Sequence, residues 1–307
     1  MGGSGQIGGW LLRVLAAKGH EAVGTCTRVS LTRASNHSTP PTWPRAAEWL
    51  RRQRADLVFY PAGFTWVDGC ERDPAKARAA NLEQPLNLAR AAAENGARFI
   101  YFSTDYVFDG INGPYHEDSP TNPLSAYGKA KREAELALAD ELGDRALVVR
   151  TSWVFGPERQ GKNFAYQLLR SLTAGKPMIC PSDQVSSPSY GPDVASAVVS
   201  LAEQGRSGLV HVVGPEVLDR VTFARTIAES FGLNTDLVVA KPTSELTPVG
   251  GPAPAPRPLR CGLLTPRLDE WLPRAMRPLS VCLADFRAKV SDPSEPWASP
   301  LPPGVNT

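Results

Sequence analysis

The sequence predicts an α/β protein built on a doubly wound parallel sheet, and two observations support this class. Short apolar runs typical of strands recur along the chain, at 58–60, 99–102 and 146–149. Between them lie helical stretches such as 74–95, which is rich in Ala, Leu and Arg and is followed by Gly96 as a helix stop. Strands that alternate with helices at this spacing favour a parallel sheet with helices on both faces.

Composition excludes several other classes of protein. The 33 basic and 31 acidic residues give a net charge of +2, so neither a nucleic-acid partner nor a membrane surface is expected. No apolar run approaches the roughly 20 residues of a membrane span. The five cysteines are scattered without a C-x-x-C pair. We therefore expect no disulfide framework and no zinc site, and a reducing cytoplasm is the default location.

The glycine-rich segment at the start of the chain is the first candidate site. Gly2, Gly5 and Gly8 are spaced by three residues and lead into an apolar helical stretch at 10–17. Such a loop lets the backbone approach a pyrophosphate at a helix N-terminus, where free N–H groups favour negative charge. The candidate cofactor-binding residues of this segment are Gly2, Ser4, Gly5, Gln6, Ile7 and Gly8.

A strand-like segment at 21–27 follows that helix, and Arg28 stands where an NAD enzyme usually places an acidic residue. A guanidinium there suits a 2′-phosphate, which favours NADP(H) over NAD(H), although a solvated surface arginine is the other interpretation. The glycine motif should follow a strand, yet only Met1 precedes it. Either the start is assigned too late or trimmed, or the cofactor site is damaged, and the sequence does not separate these explanations.

The second candidate site is a Tyr-x-x-x-Lys pair, Tyr127 and Lys131. Residues at i and i+4 share one face of a helix, so the phenol and the ammonium can point at one site. We expect the lysine to lower the tyrosine pKa from about 10 towards the range of a useful proton donor. The strand at 99–102 ends in Ser103-Thr104-Asp105-Tyr106, and active sites of open α/β sheets lie beyond the carboxyl ends of strands.

Taken together, these segments resemble those of the extended short-chain dehydrogenases/reductases, within them the dTDP-4-dehydrorhamnose reductase family. The matching stretches run in family order over about residues 2–270. They are Gly-Gly-Ser-Gly-Gln-Ile-Gly at 2–8, Ala-Gly-Phe-Thr-Trp-Val-Asp-Gly-Cys-Glu at 62–71, Ser-Thr-Asp-Tyr-Val-Phe-Asp-Gly at 103–110, Gly-Pro-Tyr-His-Glu at 113–117, Tyr-Gly-Lys-Ala-Lys at 127–131, Arg-Thr-Ser-Trp-Val-Phe-Gly at 150–156, Asp-Gln at 183–184, Ser-Pro at 187–188, and Pro-Arg-Pro at 256–258.

The resemblance implies an NADPH-dependent reduction of the 4-keto group of a nucleotide-linked 6-deoxy sugar, in dTDP-rhamnose biosynthesis. It implies a catalytic role for Thr104, Tyr127 and Lys131, with Tyr127 as the general acid, Lys131 on the nicotinamide ribose and Thr104 on the substrate carbonyl. Further cofactor contacts would come from Ala62, Gly63 and Ser103. The substrate would be bound by Val67, Asp105, Tyr106, Trp153 and Arg257, with Asn163 and Asp183–Gln184 on the nucleotide-sugar side.

The resemblance also implies a domain organisation. An NADP-binding Rossmann domain would span 1–150, with a contribution from about 190–213. A smaller, mainly substrate-binding domain would span 151–290, and 291–307 reads as a Pro-rich tail.

The chain departs from the family in two places. Pro61-Ala-Gly63 stands where Asn-Ala-Ala is frequent. Some relatives dimerise through a magnesium ion held by glutamates that cannot be placed here, so we predict no metal and leave a homodimer open.

Two other functions stay open at this point. One is a non-catalytic NADP-binding regulatory subunit, because the beta subunit of methionine adenosyltransferase resembles the same reductases. The other is a nucleotide-sugar epimerase or dehydratase. Dehydratases of this superfamily usually follow the threonine with two acids, whereas Thr104 is followed by Asp105 and Tyr106.

Overall fold

The computed structural model describes residues 2–25, 43–246, 253–292, 294, 295, 298 and 299. Its strands, in chain order, are β1 (Leu57–Tyr60), β2 (Arg98–Thr104), β3 (Ala146–Thr151), β4 (Val154–Phe155), β5 (Met178–Pro181), β6 (Val185–Ser186), β7 (Ser189–Tyr190), β8 (Gly208–His211), β9 (Leu218–Asp219) and β10 (Val238–Lys241). Its α-helices are α1 (Gln6–Ala17), α2 (Trp43–Gln53), α3 (Val67–Arg72), α4 (Pro74–Arg78), α5 (Gln84–Glu94), α6 (Ala126–Leu142), α7 (Phe164–Thr173), α8 (Gly191–Glu203), α9 (Arg220–Ser230), α10 (Pro266–Trp271) and α11 (Leu279–Ser291).

The central sheet is parallel and has the strand order β1-β2-β3-β8. Successive side chains of a strand point to opposite faces, so the apolar run of β2 supplies both cores. Phe99 and Tyr101 pack with α2, α5 and α6 on one face. Ile100 and Phe102 pack with α1 and α8 on the other. The α/β class with a parallel sheet is thereby confirmed.

A third hydrophobic cluster lies outside this sheet. It combines residues of α7, β5, α9, β10 and α11, with Phe223, Phe231 and Phe286 completely buried. Within this cluster, strands β5 and β10 pair in parallel. Helix α8 and strand β8 come after α7 and β5 in the chain. They nevertheless belong to the central sheet: β8 is one of its strands and α8 packs on one of its faces.

The predicted strands at 58–60, 99–102 and 146–149 are all present, but the prediction for 21–27 is wrong as far as the structure describes it. Residues 21–24 have no regular structure and Thr25 makes only an isolated bridge, while 26 and 27 lie outside the described residues. A cavity of about 350 Å³ lies between this segment, α1, α2 and β1. Among the described strands, β1 stands at the end of the strand order and pairs with β2, so residues 21–24 join no ladder in the part of the chain that the structure describes.

The helical stretch predicted at 74–95 is interrupted rather than continuous. A π-helical segment, Ala79–Glu83, joins α4 to α5. The stretch ends as expected, because Gly96 adopts a positive φ of 76° and donates its N–H to the Ala93 carbonyl. None of the described helices is both long and apolar enough to cross a membrane.

A buried ion pair links the centre of the sheet to α6. Arg150 of β3 donates Nε to Glu135 Oε1 at 2.8 Å and Nη2 to Oε2 at 2.7 Å, and both side chains are 1% exposed. Ser103 at the end of β2 donates its hydroxyl to Glu135 Oε1 at 2.5 Å. Because the carboxylate oxygens are fully engaged, the pair can offset the free-energy cost of removing two charges from water.

We predict that Glu135→Gln lowers the free energy of unfolding by about 3–5 kcal/mol, because the Arg150 guanidinium would stay buried without its counter-charge. The matched control is Glu133→Gln on the same helix. Glu133 pairs with Arg78 at the surface, with 47% of its side chain exposed, and its loss should cost less than about 1 kcal/mol. Urea unfolding followed by circular dichroism measures both. Equal stability of the two variants would remove Glu135 from this structural role.

Candidate active site

The glycine segment forms a tight loop at the start of α1. The N–H groups of Gly2 and Gly3 donate to the Thr25 carbonyl at 3.0 and 2.8 Å, and Gly5 donates to the Gly2 carbonyl. A Cβ on Gly8 would lie 2.1 Å from the Gly2 oxygen, so only glycine is compatible with this close packing. Gly5 caps the helix without a side-chain hydrogen bond, which leaves the N–H groups of the first turn open.

The residues around this loop fit the pyrophosphate of a dinucleotide. The buried amide nitrogen of Gln6 has no hydrogen-bond partner among the described residues. Ser4 is held through its carbonyl, which accepts from Gln160 Nε2 at 3.0 Å, and Ile7 packs against the sheet. An open helix N-terminus and an unpartnered donor beside it both favour an anion. Arg28, on which the NADP preference depends, lies outside the described residues.

The segment after β1 lies against the glycine loop. A Cβ placed on Gly2 would be 3.1 Å from the Ala62 Cβ. The next residues are held by Asn81 of the π-helical segment, whose Oδ1 accepts from the Phe64 N–H and whose Nδ2 donates to the Phe64 carbonyl, each at 3.0 Å. A Cβ at position 63 would lie 2.7 Å from Asn81 Oδ1, so the Asn81 amide leaves no room for a side chain at Gly63.

Helix α6 presents the Tyr-x-x-x-Lys pair to the carboxyl end of β2. Ser125 caps the helix by accepting from the Gly128 N–H at 3.2 Å. Tyr127 and Lys131 are 8% and 4% exposed. The Lys131 ammonium donates to the Phe102 carbonyl and lies 4.1 Å from the centre of the Tyr101 ring. The pair therefore occupies one face of the helix, as its spacing predicts.

The expectation that Lys131 lowers the Tyr127 pKa is wrong for this arrangement. Burial raises the pKa of Tyr127 well above its ordinary value, and only a hydrogen bond with Thr104 acts in the opposite direction. Burial likewise lowers the pKa of Lys131 to about 7, with Glu135 opposing it. The low-dielectric surroundings disfavour both charged forms, and the ammonium is directed at the Phe102 carbonyl and the Tyr101 ring.

Thr104 ends β2 and connects Tyr127 to a buried polar group. Its Oγ1 accepts from the Tyr106 N–H at 3.2 Å and donates to Asp105 Oδ1 at 3.1 Å. Ser186 donates to the other Asp105 oxygen at 2.7 Å. Burial raises the pKa of Asp105 to about 6, although these hydrogen bonds favour the carboxylate.

Two predicted substrate-side residues, Tyr106 and Val67, pack with Tyr127, and a third, Arg257, lies near Tyr106. The Tyr106 ring packs edge-on against the Tyr127 ring at 5.7 Å between centroids, and Val67 belongs to the same apolar cluster. Arg257 donates to Asp68 Oδ2 at 2.8 Å and lies close enough to Tyr106 for that phenol to influence its pKa. The hydrogen bond from Arg257 lowers the pKa of Asp68, so this guanidinium already has a carboxylate partner.

The remaining predicted residues have mainly internal partners. Trp153 adopts a positive φ of 38° and stacks on Phe223. Asn163 caps α7 by accepting from the Ala165 N–H at 3.1 Å, and its amide donates to the Gly156 carbonyl at 2.8 Å. Asp183 and Gln184 both bind the Thr243 hydroxyl. Ser103, a predicted cofactor contact, directs its hydroxyl at Glu135.

Sequence reasoning missed four residues that organise this region: Asn81, Glu135, Ser186 and Arg220. Each acts on residues far away in the chain; Ser186, for example, is 81 positions from Asp105. Only Glu135 carried a usable signal, since it lies four residues after Lys131 on the same helix. Within the described ranges, no cluster of three or more His, Cys, Asp or Glu side chains is arranged to hold a metal ion.

Comparison with known proteins assigns the family. The family described as RmlD substrate binding domain matches residues 1–288. The dTDP-4-dehydrorhamnose reductase of Mycobacterium tuberculosis H37Rv is 34% identical over 285 residues, which cover 91% of this chain and 87% of that protein. A Haloferax volcanii protein named probable low-salt glycan biosynthesis reductase Agl14 is 31% identical over 307 residues, covering 95% and 97%.

Solved structures agree. A hypothetical dTDP-4-dehydrorhamnose reductase from Sulfolobus tokodaii superposes with a TM-score of 0.78 at 28% identity, covering 92% of this chain and 97% of that one. The Bacillus anthracis dTDP-4-dehydrorhamnose reductase in complex with NADP has the same fold, with a TM-score of 0.81 at 24% identity and coverage of 94% and 97%. Given the family match over residues 1–288 and these identities, the chain belongs to the dTDP-4-dehydrorhamnose reductase family of extended short-chain dehydrogenases/reductases.

Proposed function

We propose that this protein reduces the 4-keto group of a nucleotide-linked 6-deoxy sugar, with NADPH as the preferred hydride source and NADH as the alternative. The observation that carries the proposal is the placement of the buried Tyr127 and Lys131 side chains by α6 at the carboxyl end of β2, with Thr104 close enough to influence the pKa of the Tyr127 phenol. The names of the reductases at 31–34% identity support the same reaction class. The sugar would be dTDP-4-dehydrorhamnose or a close analogue, in dTDP-rhamnose biosynthesis.

The chemistry that the nicotinamide supplies when bound is a hydride for the keto carbon. The Tyr127 hydroxyl would donate its proton to the C4 oxygen as that oxygen gains negative charge. The raised pKa keeps the phenol protonated at neutral pH, so the group enters the step with its proton in place, and the phenolate left behind would regain a proton from solvent before the next turnover. Thr104 would turn its one hydroxyl proton from Asp105 Oδ1 to the C4 oxygen and hold that oxygen beside the phenol.

The chain's own residues also suggest how the ligands would be held. The first turn of α1 and the Gln6 amide would bind the pyrophosphate of the cofactor, and Lys131 its ribose. Asp105, Tyr106, Val67 and Trp153 would line the sugar pocket. The residues up to 150, together with about 190–213, would form the cofactor domain, and 151–290 mainly the substrate domain. Four buried free cysteines, Cys70, Cys180, Cys261 and Cys282, support a cytoplasmic location.

Tyr127→Phe should lower kcat about 10²- to 10⁴-fold, because the proton donor is lost while the ring and its packing remain. NADPH affinity should change little. Turnover is followed as NADPH absorbance with a dTDP-4-keto-6-deoxy sugar, and NADPH affinity by fluorescence titration. The matched control is Tyr166→Phe. Tyr166 belongs to the third hydrophobic cluster, away from the proposed site, and its hydroxyl donates to the Ser299 carbonyl.

Two outcomes would contradict the proposal. A Tyr127→Phe variant with parental kcat would remove Tyr127 as the acid. A parent protein that binds NADPH but never oxidises it with the keto sugar, and co-purifies with a synthetase, would instead support a regulatory subunit. Conversion of the sugar without net NADPH oxidation would indicate an epimerase.

Arg28→Asp should shift the cofactor preference from NADPH towards NADH by about tenfold or more, because a charge-assisted hydrogen bond to the 2′-phosphate is replaced by repulsion. The measurement is the ratio of kcat/KM for the two cofactors. An unchanged ratio would discredit Arg28 as the 2′-phosphate residue, and would leave the keto reduction itself unaffected.

Asp105→Asn should stabilise the protein at neutral pH, because burying the ionised Asp105 carboxylate lowers the free energy of unfolding. Its folded pKa of about 6 exceeds the ordinary value, so the folded state holds the proton more tightly and stability falls as pH rises from about 4 to 6. At pH 7.5 the variant should gain on the order of 2–3 kcal/mol, and the gain should vanish below pH 4. Urea unfolding at pH 7.5, 6 and 4 tests this.

The control for that experiment has the opposite sign. A hydrogen bond from Tyr115 lowers the pKa of Asp109, so Asp109→Asn should destabilise the protein at pH 7.5. If Asp105→Asn were destabilising at pH 7.5 to the same degree as at pH 4, the ionised Asp105 carboxylate would not lower the free energy of unfolding.

A further inference from the structure

Arg220 occupies an unusual position at the start of α9. Its backbone N–H donates to the Gln184 carbonyl at 2.9 Å, and the preceding residue, Asp219, is the N-cap of the helix. The guanidinium carbon lies over the Trp153 ring, 3.4 Å from its centre, and 4.5 Å from the centre of the Phe164 ring. Two aromatic rings thus hold the guanidinium in a partly buried position and fix the direction of its N–H groups.

This guanidinium has no carboxylate partner within ion-pair distance in the part of the chain that the structure describes. Arg257, the other arginine near Tyr106, is paired with Asp68 at 2.8 Å. Asp105 is close enough to influence the pKa of Arg220, but its two carboxylate oxygens already accept hydrogen bonds from the Thr104 and Ser186 hydroxyls. A cation that is desolvated in this way binds an anion more strongly than an exposed one does.

Arg220 also lies close to the proposed reaction site. The Tyr106 phenol lies close enough to Arg220 to influence its pKa, and the Tyr106 ring packs edge-on against that of Tyr127. Trp153, which the guanidinium covers, is a proposed wall of the sugar pocket. An anionic group of the substrate a few ångströms from the sugar ring would therefore lie within reach of this side chain.

We propose that Arg220 binds a phosphate oxygen of the nucleotide diphosphate carried by the substrate. The inference deepens the proposed function and rests on it. Between the two arginines beside Tyr106, Arg220 rather than Arg257 has uncompensated charge, and its planar fork can direct two N–H groups at one phosphate. The residue would set affinity for the diphosphate, without a part in proton transfer.

The test is calorimetric titration of the whole protein with dTDP and UDP, and with thymidine and uridine, at two salt concentrations. Arg220→Gln should weaken diphosphate binding about 10- to 100-fold, the loss expected for a charge-assisted hydrogen bond, and leave nucleoside and NADPH binding within twofold. Arg220→Lys should recover part of the affinity. The control Arg225→Gln, an exposed position on the same helix, should bind as the parent does.

The outcomes separate this inference from the proposed function. Parental diphosphate affinity in Arg220→Gln, in a protein that still oxidises NADPH with the keto sugar, would overturn the Arg220 assignment alone. An equal loss for nucleosides and diphosphates would also overturn it, because the arginine would then only support the aromatic walls. A parent that binds NADPH but neither diphosphate would overturn the proposed substrate class and this assignment together.

Discussion

The buried Glu135 carboxylate is the interaction on which the rest of the site depends. It joins Ser103 at the end of β2, Arg150 in β3 and its own helix α6. That helix carries Tyr127 and Lys131, so the carboxylate determines how these side chains sit relative to Thr104. Because a buried ion pair is stabilising only when its hydrogen bonds are complete, small displacements of α6 are costly. The geometry proposed for proton transfer is therefore held by a group that takes no part in it.

The low dielectric of the same region explains its charge states. Burial raises the pKa values of Tyr127 and Asp105 and lowers that of Lys131 to about 7. Water-excluded surroundings disfavour every isolated charge, whatever its sign, so a lysine beside a tyrosine does not guarantee an acidic phenol. The same exclusion makes an arginine held between two rings a strong anion site. Charges that remain unpaired here are costly for stability, as is usual where a protein keeps groups for function.

Strands β1, β2 and β3 of the central sheet and the Tyr127–Lys131 pair could be predicted from local sequence patterns. The apolar runs at 58–60, 99–102 and 146–149 became strands, and a short run of apolar residues is a pattern that neighbouring residues alone define. The four-residue spacing of Tyr127 and Lys131 placed them on one helix face. The interruption at Ala79–Glu83 was not predicted, since its composition does not differ from that of the flanking helices. Its consequence is the placement of Asn81, which holds the loop containing Gly63.

Spacing along the chain established the sheet class, the glycine loop and the Tyr-Lys pair, because these depend on contacts within a few residues. The Asp105–Ser186 hydrogen bond and the position of Arg220 over Trp153 join parts of the chain that only long-range packing brings together. The same is true of the pKa values, which depend on how completely surrounding elements exclude water. A residue's type and neighbours in the chain do not contain that information, since burial is a property of the assembled fold.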